Sequence, residues 1–450
     1  MAIGKFLLGA ALVALTPAMA GAQTPALSPP GGAAPTARAP LPAPAAVVNG
    51  VRALIARDYV VPEMKKPLDA ALVKGLASGR YEHIDPAELA NRMSQDMAAV
   101  AHDKHLNIHF SPEEAQALAN GPADAGDDEY FGREGYWKKI ASDNNQGVVR
   151  LEVLDGNVRY LNYRSFFWAG EPSKAAINQA MTFLRAGDAI VIDLRDNGGG
   201  SPIAVRYLAS YFIPEGTKLV TFYLKQDPPT TSVAEAVPGG PIAGKLVYVL
   251  TSGHSASAAE EFASHVERFG FGKLVGETTA GAGFRNELYP VAGAFVLSLS
   301  IGRPELAKGG GNWEGKGVAP AIPVPADQAL DTARADALRQ LAEKARTPQE
   351  KTELGWMAAG AKARLAPPMP AESMAAYAIQ IGERGVSVEG GTLIYQRKGG
   401  IRTVIRPIGP DLFAMDADPR THLRFLRKDG TIDGLQFEHA DGTSNKVTRS

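Results

Sequence analysis

The chain has 450 residues, a formal net charge of −1 and no cysteine. That length leaves room for two or three domains and a sizeable core. Interspersed acids and bases exclude a nucleic-acid footprint or a patch for anionic membranes. The lack of cysteine excludes disulfides, thiol chemistry and a lipidated cysteine.

Residues 1–22 have the form of a signal peptide: Lys5, an apolar run over 6–15, and small residues around Ala18, Ala20 and Ala22. The apolar run is too short for a comfortable membrane span, and no later segment reaches that length. A periplasmic or secreted bacterial protein, with no membrane contact after cleavage, is expected. Residues 23–46 are rich in Pro, Ala and Gly without periodic apolar positions, and read as a tether. Over 47–119, Val51, Leu54 and Ile55, then Leu68, Ala71 and Leu72, then Leu89, Met93 and Met97 recur at helical spacing. Asp85-Pro86 suits the start of one of these helices. This small helical domain carries His105 near its end.

A polar, acidic loop over 120–128 leads into the core, placed at 120–328. Two strands, 148–153 and 158–163, flank Leu154-Asp155-Gly156-Asn157 as a hairpin. Helical and strand patterns then alternate through Pro325, the mark of an α/β fold. Amphipathic helices over 326–345 and 350–365 form a connector (329–368) that Pro367, Pro368 and Pro370 break. Residues 369–450 read as a small antiparallel β domain with glycine turns and a hairpin over 423–437 turning at Lys428-Asp429-Gly430. No cluster in that domain carries catalytic chemistry.

Two strand-turn-helix segments in the core point to acyl transfer. The first is Ala189-Ile190-Val191-Ile192-Asp193-Leu194-Arg195-Asp196-Asn197-Gly198-Gly199-Gly200, a buried strand stopping in three glycines that let backbone amides approach a ligand. The second is Val249-Leu250-Thr251-Ser252-Gly253-His254-Ser255-Ala256-Ser257-Ala258-Ala259-Glu260-Glu261-Phe262, which sets a serine at the mouth of a helix. Unpaired N–H groups and the positive end of the dipole stabilise an anion there. Gly198, Gly199 and Ala258 are the candidate oxyanion donors. Ser257-x-x-Glu260 is equally a capping box, which many helices use without catalytic purpose.

A serine nucleophile needs a base, and imidazole is the usual one. His102, His105 and His109 lie within eight residues, a spacing that also suggests a metal site. It lacks the glutamate of a zincin helix, and no metal or other cofactor is expected. Gly310-Gly311-Asn312-Trp313-Glu314-Gly315-Lys316-Gly317 presents one acid, Glu314, on a glycine-flanked loop.

Together with Asp103-Lys104-His105-Leu106 and Leu274-Val275-Gly276-Glu277-Thr278-Thr279-Ala280-Gly281, these motifs resemble the tail-specific, or C-terminal-processing, serine protease superfamily. That superfamily includes the tricorn core and the interphotoreceptor retinoid-binding protein repeats. The match keeps the family's order over roughly 47–328. The resemblance implies a crotonase-like α/β catalytic core behind an N-terminal helical domain, with Ser257 as nucleophile and Ser255 as its rival. Ala282 stands where one branch has a lysine base, so a Ser–Lys dyad is not implied. His105 and Glu314 fall on the histidine and glutamate of the tricorn-like branch, while Lys104 replaces its accessory serine. No stretch between His105 and Asp193 resembles a PDZ module.

The expectation is a serine-type peptidase that cleaves a peptide or protein substrate through an acyl-enzyme on Ser257, with His105 as base and Glu314 orienting or polarising it. A non-catalytic ligand- or peptide-binding protein on the same fold is the alternative, and a metal hydrolase using the three histidines is a third reading. Sequence leaves the substrate, the oligomeric state and the role of the β domain open.

Overall fold

The structure, a computed structural model, describes residues 41–120, 136–224 and 227–449. The leader, most of the tether and nearly all of the acidic loop after Asn120 lie outside them. The described chain opens with α1 (Pro44–Asp58), which begins three residues inside the expected tether, then α2 (Lys65–Ala77) and α3 (Pro86–Ala101). Asp85 caps α3 by accepting the Glu88 amide at 2.9 Å, Pro86 fills the first helical position, and His102 closes the helix at φ 54°. A strand β1 (Asn107–Phe110) and α4 (Pro112–Asn120) follow.

The core runs through α5 (Tyr136–Asp143), β2 (Val148–Leu154), β3 (Val158–Tyr163), α6 (Glu171–Arg185), β4 (Ala189–Asp193) and α7 (Pro202–Ala209). It continues with β5 (Lys218–Leu224), β6 (Thr230–Val233), β7 (Leu246–Thr251), α8 (Ala258–Phe269), β8 (Lys273–Gly276), β9 (Arg285–Val291), β10 (Phe295–Leu306) and β11 (Ile322–Pro323). Two long helices, α9 (Ala329–Glu343) and α10 (Pro348–Arg364), complete it.

One sheet has the order β11-β8-β7-β4-β3-β2 and is parallel except for β2, which runs antiparallel to β3 at the edge. Its central strand β4 is buried at every residue, which is why it reads as an unbroken apolar run. Helices α6, α7 and α8 cover one face, around Ile190, Ile192, Val249 and Phe262. The other face, with Val191, Tyr248 and Leu250, is covered by α9 and α10 through Ala333, Ala337, Leu338 and Met357. The α/β class expected from sequence is the one found.

The second sheet has the order β1-β10-β5-β6, with β9 also paired to β10. Here the helical pattern over 47–118 proves incomplete. Asn107 lies opposite Ser298 and Phe110 opposite Phe295, so this region contributes a strand to the sheet that carries β10. Four residues are too few for alternation to show, and only the partner makes them a strand. Helices α1, α2 and α3 pack on the same sheet, with Val47, Val51, Leu72 and Met93 in one cluster with Phe295, Leu297 and Leu299. The segment bearing His105 is thereby fixed to the core.

The chain ends with α11 (Ala371–Ala375) and an eight-stranded antiparallel meander: β12 (Ile379–Ile381), β13 (Arg384–Glu389), β14 (Thr392–Arg397), β15 (Arg402–Gly409), β16 (Leu412–Met415), β17 (Thr421–Lys428), β18 (Thr431–His439) and β19 (Ser444–Thr448). Asp429 and Gly430 turn β17 into β18 with φ of 50° and 78°, as an Asp-Gly hairpin requires. The meander leans on α10, where Trp356 stacks on His422 at 3.8 Å and Arg364 pairs with Asp416 at 3.2 Å. No helix among the described residues is long and apolar enough to cross a membrane.

Candidate active site

Strands β4 and β7 are parallel neighbours, with Asp193 opposite Leu250, so their C-terminal turns lie side by side. Ligands of parallel sheets sit at such strand ends. The two turns are stitched together: Ser255 Oγ donates to Leu194 O at 2.7 Å, and the Ala256 amide donates to Asn197 O at 3.0 Å. Ser255 Oγ also accepts the Ser252 amide at 3.0 Å, and the residue is fully buried. The rival serine is a structural pin. Asn197, also fully buried, reaches Tyr163 O through Nδ2 at 2.8 Å and accepts the Gly199 amide at 2.9 Å.

Ser257 stands at the mouth of α8, half-buried, with φ 53° and ψ −116°. A side chain in so sparse a backbone region costs about 1–3 kcal/mol and persists only where the surroundings enforce it. Opposite it, Gly199 adopts φ 111°, and a Cβ there would lie 2.8 Å from Ser257 Cβ and 3.1 Å from the Ala258 amide nitrogen. Glycine is required at this position by both conformation and space. The Ala258 amide, first of the helix, has no acceptor among the described residues, and neither has that of Gly198. The Gly199 amide is already taken by Asn197. Of the three expected oxyanion donors, Ala258 and Gly198 are therefore the ones left open.

What enforces the Ser257 conformation is a residue that sequence reasoning treated only as a cap. Glu260, fully buried, accepts the Ser257 amide (2.9 Å), Thr279 Oγ1 (2.6 Å), the Gly281 amide (2.5 Å) and the Ala282 amide (2.7 Å). Burial raises its pKa, against the pull of those four donors. Thr279 in turn accepts the Val318 amide at 2.7 Å. The capping-box position was a visible signal for Glu260. Thr279 and Asn197 had none beyond lying in the matching motifs.

His105 enters from the turn before β1 and is almost completely buried. Its amide donates to Asp103 Oδ1 at 2.9 Å, and Tyr59 OH donates to Asp103 Oδ2 at 3.1 Å, tying the turn to the end of α1. Lys104 Nζ donates to Ala280 O, whose own amide donates to Ser255 O at 2.9 Å. Two bonds thus run from the His105 turn to the serine segment. Burial lowers the His105 pKa to about 4, with Asp103 acting upward and Arg285 downward. The ring is therefore neutral at ordinary pH, as a base must be. Its Nδ1 is sealed without a partner.

Glu314 comes from the loop between β10 and β11. Its Oε2 accepts the Gly283 (2.5 Å) and Phe284 (2.9 Å) amides, and Trp313 Nε1 donates to Ala282 O at 2.9 Å. Burial, then the neighbouring Asp103 charge, push its pKa up to about 7. Glu260 and Glu314 thus grip successive amides of one loop, residues 281–284. Ala282, in place of the lysine, contributes backbone alone. No hydrogen bond joins Glu314 to His105, or His105 to Ser257, in this structure; such contacts often tighten only with substrate bound. The three histidines do not converge: His102 caps α3 and is exposed, while His109 pairs with Glu114 at 2.7 Å. No cluster able to hold a metal ion occurs among the described residues.

Residues 157–324 match the model of peptidase family S41, and residues 38–131 match that of the N-terminal domain of peptidase S41 in eukaryotic IRBP. Among solved structures, that of mature CPAF is similar at TM-score 0.45 and 13% identity, covering 68% of this chain and 99% of that one. A lipoprotein from Streptococcus agalactiae gives 0.42 and 15%, with 65% and 95% covered. The photosystem II D1 C-terminal processing protease gives 0.39 and 16%, with 64% and 94% covered.

Proposed function

For a chain that belongs to peptidase family S41, we propose a serine-type mechanism acting on peptide or protein substrates. Ser257 Oγ attacks the scissile carbonyl and its proton passes to His105. The amides of Ala258 and Gly198 receive the oxyanion, and the leaving amine takes the proton from His105. Water, deprotonated by the same imidazole, then releases the acyl group. Glu314 supports this site by holding the 283–284 backbone; a direct bond to His105 forms only if the loop moves on binding.

The observation that carries this reading is the enforced conformation of Ser257, half-buried at a helix N-terminus, flush against Gly199, beside amides with no other acceptor among the described residues. Such donors act best when they are fixed before the reaction begins. The leader-like composition of residues 1–22 supports a periplasmic or secreted enzyme.

A fluorophosphonate probe on the purified chain tests the mechanism. Labelling of the wild type and of Ser255→Ala, but of neither Ser257→Ala nor His105→Ala, is the expected pattern. An unlabelled wild type overturns the mechanism and favours a ligand-binding role.

A further inference from the structure

Strand β2 ends its sheet, so the outer N–H and C=O groups of Val148–Leu154 have no strand beside them among the described residues. Edges of this kind are normally kept short, or carry lysine, proline or a polar surface. Other edges here follow that rule. The β6 edge is four residues of Thr-Thr-Ser-Val, β11 is two residues ending in Pro323, and β19 carries Lys446. By contrast β2 is seven residues long, with Val149, Leu151 and Val153 exposed by 54%, 38% and 54%. Its one bulge falls at Val149, which has no partner on β3, and the strand is regular from Arg150 to Leu154.

The charges on this strand decide what fits it. Arg150 and Glu152 flank Leu151 on the opposite face from the apolar stripe and pair with each other at 2.6 Å. When a second copy of Val149-Arg150-Leu151-Glu152-Val153 runs antiparallel about a two-fold axis at Leu151, Arg150 meets Glu152 of the other copy, twice. Leu151 meets itself, with Val153 of each copy on the same face, while the bulged Val149 lies at the margin of the pairing. Side chains keep their faces, because the pairing relates residues separated by an even number of positions. The apolar stripe of one copy is thereby doubled and flanked on the other face by cross-strand ion pairs.

The geometry points to a homodimer in which β2 of two copies pair antiparallel about Leu151, joining the two sheets edge to edge into one continuous sheet. The symmetry is isologous and closes after two copies, so it gives a dimer rather than a fibre. This edge is separate from the Ser257 turn, and the dimer stands whether or not the serine mechanism holds.

Sedimentation equilibrium of the whole chain over a concentration series tests it with four proteins: wild type, Glu152→Arg, Arg150→Glu and the double swap. Wild type is expected to show a monomer–dimer equilibrium. Each single reversal sets like charges opposite at two places and weakens association by roughly tenfold to a hundredfold. The double swap restores complementarity and association, and mixing the two single variants yields heterodimers. A second readout uses the absence of native cysteine: Leu151→Cys, the sole thiol, is joined to its counterpart by a short bismaleimide, whereas Val388→Cys, on an unrelated exposed site, is not. A wild type that stays monomeric overturns the proposal. So does a dimer indifferent to single reversals, or one that the double swap fails to restore.

Discussion

The two sides of the candidate site are built differently. On the serine side, Ser252, Ser255, Asn197 and Glu260 tie both strand ends and the 279–282 segment together through buried hydrogen bonds. On the histidine side, Asp103, Tyr59 and the exposed Lys104 hold a single turn. The proposed nucleophile and oxyanion donors are fixed in advance, within one α/β layer. The proposed base, His105, arrives on a segment whose helices belong to a different hydrophobic cluster, packed on the other sheet. The conformation of Ser257 is thus built into one layer, while the position of His105 depends on how two layers dock.

The largest expected effect lies on the serine side. Ser257→Ala should reduce turnover by about 10⁴-fold or more, with little change in melting temperature, whereas Ser255→Ala should keep probe labelling and melt earlier. Deleting that hydroxyl leaves the buried Ser252 amide without its acceptor and costs about 1–3 kcal/mol. Labelling and calorimetry on the same samples distinguish the two serines; the reverse pattern would move the nucleophile to Ser255.

Gly199→Ala comes next. Its methyl would crowd Ser257 and the Ala258 amide, and a loss of about 10²- to 10³-fold in kcat is expected, the scale for removing an oxyanion donor. Glu260→Gln places an NH₂ group among amide donors and should cost about 2–4 kcal/mol in stability by denaturant titration, with turnover falling too. If Glu260→Gln melts like wild type, the serine side is less rigidly enforced than its hydrogen bonds indicate.

Lys104→Met breaks only an exposed tie across the two sides. About a tenfold drop in kcat, with stability changed by less than about 1 kcal/mol, is expected. A large loss of stability would show that the histidine side is held as firmly as the serine side.

The smallest effects are pH effects. Because burial holds His105 at about 4, the labelling rate should fall on acidification near pH 4, well below the ordinary imidazole value of 6.5. A second step near 7 belongs to Glu314 and should vanish in Glu314→Gln. The stability windows have opposite signs. Between about 4 and 6.5 the unfolded chain binds a proton that folded His105 refuses, so stability falls as pH drops. Between 4.5 and about 7 folded Glu314 keeps a proton that the unfolded chain has lost, so stability falls as pH rises. Melting curves of His105→Asn and Glu314→Gln over pH 4 to 8 read each contribution separately.

The strongly periodic parts of the chain were legible in advance. The cap at Asp85-Pro86, the hairpin around Gly156, the fully buried β4 and the Asp429-Gly430 turn each follow from residues within a few positions of one another. So does the serine at the mouth of α8, since a glycine turn before an amphipathic run is a local signal. The strand Asn107–Phe110 was not legible, because its pairing partner, Phe295–Ser298, lies far along the chain. The bond from the Gly199 amide to Asn197 was also hidden, because a triple glycine looks equally open at every amide.

The sequence by itself determined the α/β class, the two strand-turn-helix segments and the residue types able to perform acyl transfer. These depend on periodicity, turn chemistry and capping, which act over a few residues. Only the tertiary structure decided which serine is pinned and which is poised, which amides remain free, and that one buried glutamate gathers donors from both the serine turn and the 279–282 segment. Those outcomes depend on burial and on hydrogen bonds between distant parts of the chain, and such partners are chosen by packing rather than by neighbours in sequence.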